Sequence, residues 1–329
     1  MNEAAPVDPP TARIVLRLRG EFPLVERPFA AVAAELGLTE EALIERLRRL
    51  LANGTVLRFG PLFCIQRAGG QALSAALSVP EERFDEVAAR ILAVPEVAHL
   101  YRRAHRYNLW LLAATPSAAE AEATLDRIER DVAIELLRLP VLREYGAGAR
   151  RGRSAGAEQA AAAGLDAFDR ELLAAVQSGL PLVARPYEAL AAMLGTDGAT
   201  VCARLGAWRA SGVVRRIGAV PNELHLGLAA SPMSAWDVAD EAVDACGEAL
   251  AALPFIAHAS LRPRALPAWP YNLVVMLKAA PRAEVLRQHE ALGAQFAAIP
   301  GAAGAGGPAG ALVEVTAVLK KTGLRIRES

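Results

Sequence analysis

The sequence predicts an α+β protein, a tandem duplication in which each copy joins a winged helix-turn-helix to a ferredoxin-like βαββαβ unit. Internal repetition is the first observation. Phe22-Pro23-Leu24-Val25-Glu26-Arg27-Pro28-Phe29 returns as Leu180-Pro181-Leu182-Val183-Ala184-Arg185-Pro186-Tyr187, an offset of 158 residues. At the same offset Leu36, Gly37, Leu47, Gly54, Val56, Arg58 and Gly60 meet Leu194, Gly195, Leu205, Gly212, Val214, Arg216 and Gly218. A second block also recurs. Pro95-Glu96-Val97-Ala98-His99 parallels Pro254-Phe255-Ile256-Ala257-His258, and Tyr107-Asn108-Leu109 parallels Tyr271-Asn272-Leu273. The offset widens between these blocks, which places a small insertion near 263–268 in copy two. The 329 residues suit about two domains of roughly 150 residues, and a 53% hydrophobic composition supplies their cores.

The elements follow in order. In copy two, Leu165, Phe168, Leu172 and Val176 share one face of a helix over 165–178, which Gly179 and Pro181 end. Pro186 opens a second helix to Leu194, where Gly195 stops it. A third spans 197–211 with Val201, Leu205 and Trp208 at helical spacing, and Val213–Ile217 reads as a wing strand. Copy one repeats this over 29–36 and 40–52, with Thr39 a candidate N-cap. Its first helix is expected to be curtailed by Pro9 and Pro10. Strands over 73–79, 99–103 and 108–114, helices over 83–94 and 117–134, and a closing strand at 142–145 give βαββαβ in copy one. Copy two matches with strands near 232–236, 256–261, 271–278 and 312–319. The expected boundaries are 11–62 and 165–221 for the winged helix-turn-helix units, 63–146 and 222–329 for the βαββαβ units, and 147–164 for an Ala/Gly/Arg-rich linker.

Charge and special residues narrow the function. Thirty-six basic residues balance 36 acidic ones, so no global cationic surplus exists to displace counterions from phosphates. Cys64, Cys202 and Cys246 are far apart and form no C-x-x-C pair, which argues against a zinc site, a redox dithiol or a secreted disulfide framework. The start, Met1 to Pro6, shows no basic-then-apolar leader. The uncharged stretch 291–313 is broken by Pro300, Pro308 and several glycines, so no membrane span is expected. The Gly-rich run 301–310 lacks the Lys-Ser/Thr ending of a phosphate loop. A cytoplasmic protein is the expectation.

A winged helix-turn-helix followed by βαββαβ resembles the Lrp/AsnC family of transcription regulators. Two motifs, each present twice, look more like an enzyme branch of that family, the siroheme decarboxylases. One is the G-[FL]-P-L-x-x-R-P-[FY] element at Gly179–Tyr187, matched in copy one by Pro23–Phe29 with Glu21-Phe22 in front. The other is P-x-V-x-H-x-Y-x-R followed by Y-N-L-W, here Pro95, Val97, His99, Tyr101, Arg102/Arg103 and Tyr107–Trp110. Copy two departs from it with Ser260 in place of Tyr101, and it carries Lys278 after its Y-N-L block. Copy one carries the unusual stretch Arg67–Gln71. The resemblance covers nearly the whole chain and implies a fused two-module enzyme. Its reaction would remove CO2 from two acetate side chains of siroheme, giving 12,18-didecarboxysiroheme for heme d1 or alternative heme synthesis. It also implies that siroheme or a related iron tetrapyrrole is the partner, that the two modules pack on each other, and that a homo-oligomer or association with other pathway enzymes is open.

This chemistry sets demands on the residues. An electron sink forms when the macrocycle is protonated, and the methylene left behind must gain a proton, so groups titrating near neutrality are needed, which points to His. Fixed arginines suit the remaining carboxylates. No cofactor of the protein's own is required, because the iron arrives with the substrate. The stretch His99–Trp110 concentrates two of the five histidines, three arginines and two tyrosines. His99, His105 and the parallel His258 are the catalytic candidates. Tyr101, Arg102, Arg103, Tyr107, Trp110, Arg262, Arg264, Tyr271 and Lys278, with Arg58 and Arg216 on the wings, are the binding candidates. The substrate iron would lie near His99 or His258. On an extended strand His99, Tyr101 and Arg103 share one face and Arg102 takes the other. The alternative for the stretch is a charged hairpin with exposed rungs. His225 and His289 read as surface or structural. Arg27 and Arg185 could contact substrate or form interdomain ion pairs.

The rival function is a DNA-binding regulator or heme-responsive sensor. A recognition helix should offer Arg, Lys, Asn or Gln near its start. The third helices begin Thr39-Glu40-Glu41-Ala42 and Thr196-Asp197-Gly198-Ala199, which favours the enzyme and no nucleic-acid partner. The expected site is a basic, imidazole-lined hollow beside the hairpin histidines, between the βαββαβ and helix-turn-helix units.

Overall fold

The computed structural model describes residues 7–145, 165–302 and 309–322. The expected linker at 147–164 and most of the Gly-rich run after Gly301 lie outside these residues. Copy one begins with α1 (Pro9–Arg19), α2 (Pro28–Leu36), α3 (Glu40–Ala52) and β1 (Val56–Phe63). The prolines do not curtail α1. They occupy its first two positions, where no intrahelical N–H is needed, and the Asp8 carboxylate caps the helix by accepting from the Thr11 N–H at 2.7 Å. Thr39 caps α3 as expected, accepting from the Ala42 N–H. The chain continues through β2 (Gln71–Leu77), α4 (Phe84–Leu92), β3 (Val97–Arg103), β4 (Leu109–Thr115), α5 (Ala118–Val132), β5 (Leu137–Arg138) and β6 (Arg143–Tyr145).

Copy two supplies α6 (Ala167–Val176), α7 (Pro186–Leu194), α8 (Gly198–Ser211), β7 (Val214–Pro221), β8 (Met233–Asp237), α9 (Val243–Ala251), β9 (Ile256–Leu261), β10 (Leu273–Leu277), α10 (Arg282–Ala298), β11 (Ala309–Val313) and β12 (Val315–Lys321). The uncharged stretch over 291–313 is therefore divided between a helix and a strand. Among the described residues no helix is long and apolar enough to cross a membrane.

The wing strands pair with each other across the two copies. β1 and β7 form a two-stranded antiparallel sheet in which Gly60 faces Gly218, its repeat counterpart. A pseudo-twofold axis therefore passes through that pair. Glycine is required there because the backbones of the two copies touch. A Cβ on Gly218, at φ 159°, would fall 2.4 Å from the Leu18 carbonyl oxygen, and one on Gly60 would fall 3.0 Å from the Gly179 backbone. The six helices close over this sheet in one shared core that includes Phe22, Phe29, Phe59, Tyr187 and Trp208.

The two βαββαβ units exchange their last strands. One sheet runs β12-β3-β4-β2-β5 and the other β11-β8-β10-β9-β6. The 142–145 segment, expected to close copy one, pairs with β9 of copy two. The strand expected over 312–319 is broken at Glu314. β11 stays in copy two, whereas β12 pairs with β3 of copy one. Backbone bonds from Leu142 N to Leu261 O at 2.9 Å and from Ala104 N to Glu314 O at 2.8 Å mark the two crossing points. Each sheet packs its helices on one face, through cores that include Leu100, Leu109 and Leu125 in copy one and Leu273, Val275 and Phe296 in copy two. The other faces meet in a third core of Tyr101, Trp110, Leu139, Met233, Trp269 and Val313.

Candidate functional site

Strand periodicity sorts the dense motif on β3. Tyr101 and Arg103 turn into the layer between the sheets, and the His99 ring lies 5.9 Å from that of Tyr101. Arg102 turns to the other face, stacks 4.2 Å over Phe84 and pairs with Glu81, so the structure separates it from the other three. Arg103 is 5% exposed. Its Nη1 donates to the Val313 carbonyl at 2.6 Å and the Ser231 carbonyl at 3.2 Å, both from copy two. Its guanidinium lies 5.5 Å from the rings of Tyr101 and Trp110, while its buried Nε has no partner among the described residues. Burial lowers its pKa to about 10, so the cation persists at neutral pH.

His99 sits opposite Lys321 of β12 and Leu112 of β4. Burial, reinforced by the Lys321 charge, pushes its imidazole down to about 4. Lys321 is the residue that sequence reasoning missed. Its Nζ donates to both carboxylate oxygens of Glu223 at 2.9 and 3.2 Å, and the two side chains are only 15% and 11% exposed. Glu223 belongs to a 3-10 turn at Glu223–Leu226, between the helix-turn-helix and βαββαβ parts of copy two. Neither residue stands near His99 in sequence. The only available signal was the second lysine of an alternating terminal strand.

His105 lies in the β3–β4 hairpin, and this hairpin is filled rather than hollow. The His105 ring is 5.6 Å from Trp269 and 6.0 Å from Tyr107, and its Nδ1 accepts from the Tyr107 N–H at 3.1 Å. Burial and then Arg106 lower its pKa. Trp269 directly follows the stretch inserted in copy two and, in the register that sets Tyr107 against Tyr271, is the repeat counterpart of His105. It is fully buried and also meets Trp110 at 5.5 Å and Tyr271 at 4.9 Å. The expected hollow is therefore absent around His105, because the tryptophan of the second copy occupies the place.

In copy two, His258 is exposed on β9. The protein packed round it, with Arg262 and Arg215, still holds its imidazole below the ordinary value. Arg262 bonds Ser260 Oγ at 3.2 Å and the Leu139 carbonyl. It thus mirrors Arg103: each arginine holds a carbonyl of the opposite copy just before a crossing strand. Arg264 is saturated by Asp237, Asp240 and the carbonyls of Val238 and Pro270. Lys278 is exposed and donates to the Pro254 carbonyl. A cleft of about 360 Å³ lies beside Arg262, Arg264, Arg143 and Asp244, and another of about 170 Å³ lies between α4 and α5. Neither is lined by His99, His105 or His258.

The wing arginines turn inward. Arg58 donates to the carbonyls of Pro61 at 2.6 Å and Val176 at 3.4 Å, and Arg216 to those of Arg19 at 2.6 Å and Ala219 at 3.0 Å. Each satisfies an end carbonyl of the other copy's first helix or the residue closing it, which places both in the joint between copies. Arg27 pairs with Glu40, and Arg185 bridges to Glu26 of the other copy at 2.9 Å. His289 bonds Ser234 Oγ at 2.7 Å against Trp236, and His225 lies beside Gly54. Among the described residues no group of three or more His, Cys, Asp or Glu could hold a metal.

Comparison with known proteins fits this architecture. The profile of the siroheme decarboxylase NirDL-like HTH domain matches residues 12–56 and 169–215, and that of the AsnC-like ligand binding domain matches 69–146 and 225–301. The chain is 35% identical over 285 residues to the siroheme decarboxylase NirDL subunit of Paracoccus denitrificans, covering 83% of this chain and 86% of that one. It is 47% identical over 136 residues to the siroheme decarboxylase NirG subunit of Pseudomonas aeruginosa, which is 92% covered by 41% of this chain. The crystal structure of the siroheme decarboxylase NirDL in co-complex with an iron-uroporphyrin III analogue superposes with a TM-score of 0.61 at 25% identity, over 95% of this chain and 93% of that one. With both modules matched in order and an end-to-end relative above 30% identity, this chain belongs to the siroheme decarboxylase family.

Proposed function

We propose that the chain removes CO2 from two acetate side chains of siroheme to give 12,18-didecarboxysiroheme. The observation that carries this is the end-to-end similarity to NirDL siroheme decarboxylases. The reaction needs a proton for the methylene left after CO2 departs, and cations for the carboxylates that stay. Burial keeps the His99 imidazole neutral at pH 7. Carboxylates of a bound substrate would favour its protonated form and raise its pKa, so His99 would take up a proton on binding and deliver it to the methylene. Arg103, charged, buried and with one N–H lacking an acceptor among the described residues, would hold a retained carboxylate. The leaving carboxylate should meet no cation, because pairing would stabilise the ground state. No cofactor of the protein's own enters this scheme, and the iron belongs to the substrate.

The substrate class is therefore the iron tetrapyrroles. The relatives named as single subunits span about one module each, and in this chain the two interlocked modules would form the working pair within one polypeptide. A cytoplasmic location accords with three unpaired cysteines. The regulator reading lacks a surface. Glu40 at the start of α3 is buried against Arg27 and the Ala30 N–H, and Gly198 at the start of α8 lies against Glu188. Anaerobic incubation with siroheme, followed by product mass, tests the proposal. Loss of two CO2 units is expected. Unchanged siroheme with tight, salt-sensitive promoter binding overturns it.

A further inference from the structure

Strand exchange carries a residue of copy two into the candidate site of copy one. β12 lies along β3, and its two final lysines part company. Lys320 turns to the helix side and donates to the Leu92 and Val94 carbonyls at 3.3 and 3.2 Å. Lys321, opposite His99, turns the other way and meets Glu223. The lining beside and along β3 from His99 to Arg103 thus holds two cations, Lys321 and Arg103, and one carboxylate, Glu223. The surplus cation is Arg103, whose buried Nε lacks a partner among the described residues. Burying an unmatched charge is costly, so this lining is built one anion short.

Resting on the decarboxylase reading, we infer that Lys321 is a substrate-binding residue of the His99 site. It is delivered by the exchanged strand, holds a carboxylate of the tetrapyrrole, and is parked on Glu223 until that carboxylate arrives. Glu223 is a built-in competitor, an internal carboxylate that mimics the guest's own. Copy two lacks the same arrangement among the described residues: the cations acting on His258 are Arg262 and Arg215, and Ser260 stands where copy one has Tyr101. The site beside His99 is therefore composite, with the imidazole from one copy and a lysine and its competitor from the other.

The test uses iron-uroporphyrin III as a binding probe, read by absorbance titration, and siroheme for turnover. Lys321→Met should weaken probe binding and raise KM about tenfold, the scale of one lost charge-assisted contact, with kcat unchanged. Lys321→Arg should restore both. Glu223→Gln should tighten probe binding, because the competitor is gone. The double variant Lys321→Met/Glu223→Gln removes both charges and leaves no buried unpaired carboxylate, so it controls for folding and should bind as weakly as Lys321→Met. Wild-type binding and KM in Lys321→Met overturn the inference. So does recovery in the double variant, which reduces the pair to a structural ion pair. If the wild type leaves siroheme intact yet binds the probe in a Lys321-dependent way, the decarboxylase reading fails and the carboxylate site stands.

Discussion

Trp269 offers the most direct measure of how firmly the second copy grips the first. Its side chain has no exposed surface and meets His105, Tyr107, Trp110 and Tyr271, three of which belong to the other copy. Truncating a buried aromatic to alanine costs about 3–5 kcal/mol through lost transfer energy and the cavity left behind. Its indole Nε1 adds a second, opposing effect, because that buried N–H has no hydrogen-bond partner among the described residues. Trp269→Phe therefore loses roughly 2 kcal/mol of ring burial, offset by about 1 kcal/mol from removing an unsatisfied donor, a net cost near 1 kcal/mol. Urea unfolding of the wild type and both variants reads these differences, with the slope unchanged and the midpoint moved. If phenylalanine costs as much as alanine, the indole nitrogen has a partner and the argument is wrong. If neither variant moves the midpoint, the plug does not hold the copies together.

Other expectations follow from the same packing. The folded pKa of His99 is about 4 against about 6.5 unfolded, so its contribution is complete above pH 6.5. That contribution is lost as pH falls towards 4, by at most about 3 kcal/mol. His99→Gln should flatten that acid limb in chemical denaturation, and an unchanged limb refutes the burial argument. His99→Ala should sharply cut siroheme turnover while the far-UV circular dichroism holds, and a wild-type rate removes His99 from the mechanism. Arg102→Ala, on the helix-side face, should leave KM for siroheme unchanged and cost at most about 1 kcal/mol, and a raised KM would return it to the binding set. Arg58→Met leaves the Pro61 and Val176 carbonyls short of a donor and should destabilise by about 1–3 kcal/mol without altering KM. A KM effect with normal stability reverses that assignment.

Local pattern carried some of these features, and only the three-dimensional pairing carried others. The repeat was visible because Pro, Gly and Arg recur at fixed offsets. The split of His99, Tyr101 and Arg103 from Arg102 followed from strand alternation alone. The Thr39 cap is a local rule obeyed locally. Strand exchange was not visible, because the alternation in 315–321 suits either sheet edge. The same holds for Arg58 and Arg216, whose acceptors are helix-end carbonyls of the opposite copy. Pro9-Pro10 misled because a proline pair reads as a breaker unless it falls on the first turn. Lys321 lies 98 residues from Glu223, Trp269 lies on the other copy from His105, Tyr107 and Trp110, and no window along the sequence brings these partners together.

The crossed strands also bear on why such a pair would be made as one polypeptide. Two halves that clasp each other's edges would stay together even if cleaved between residues 146 and 164, so the peptide connection supplies bookkeeping rather than adhesion. It fixes one left half to one right half, and identical mates can no longer form. Freed from matching themselves, the halves can specialise. One keeps a tyrosine beside its imidazole, and the other sets a tryptophan, next to its extra loop, that reaches over and seals its neighbour.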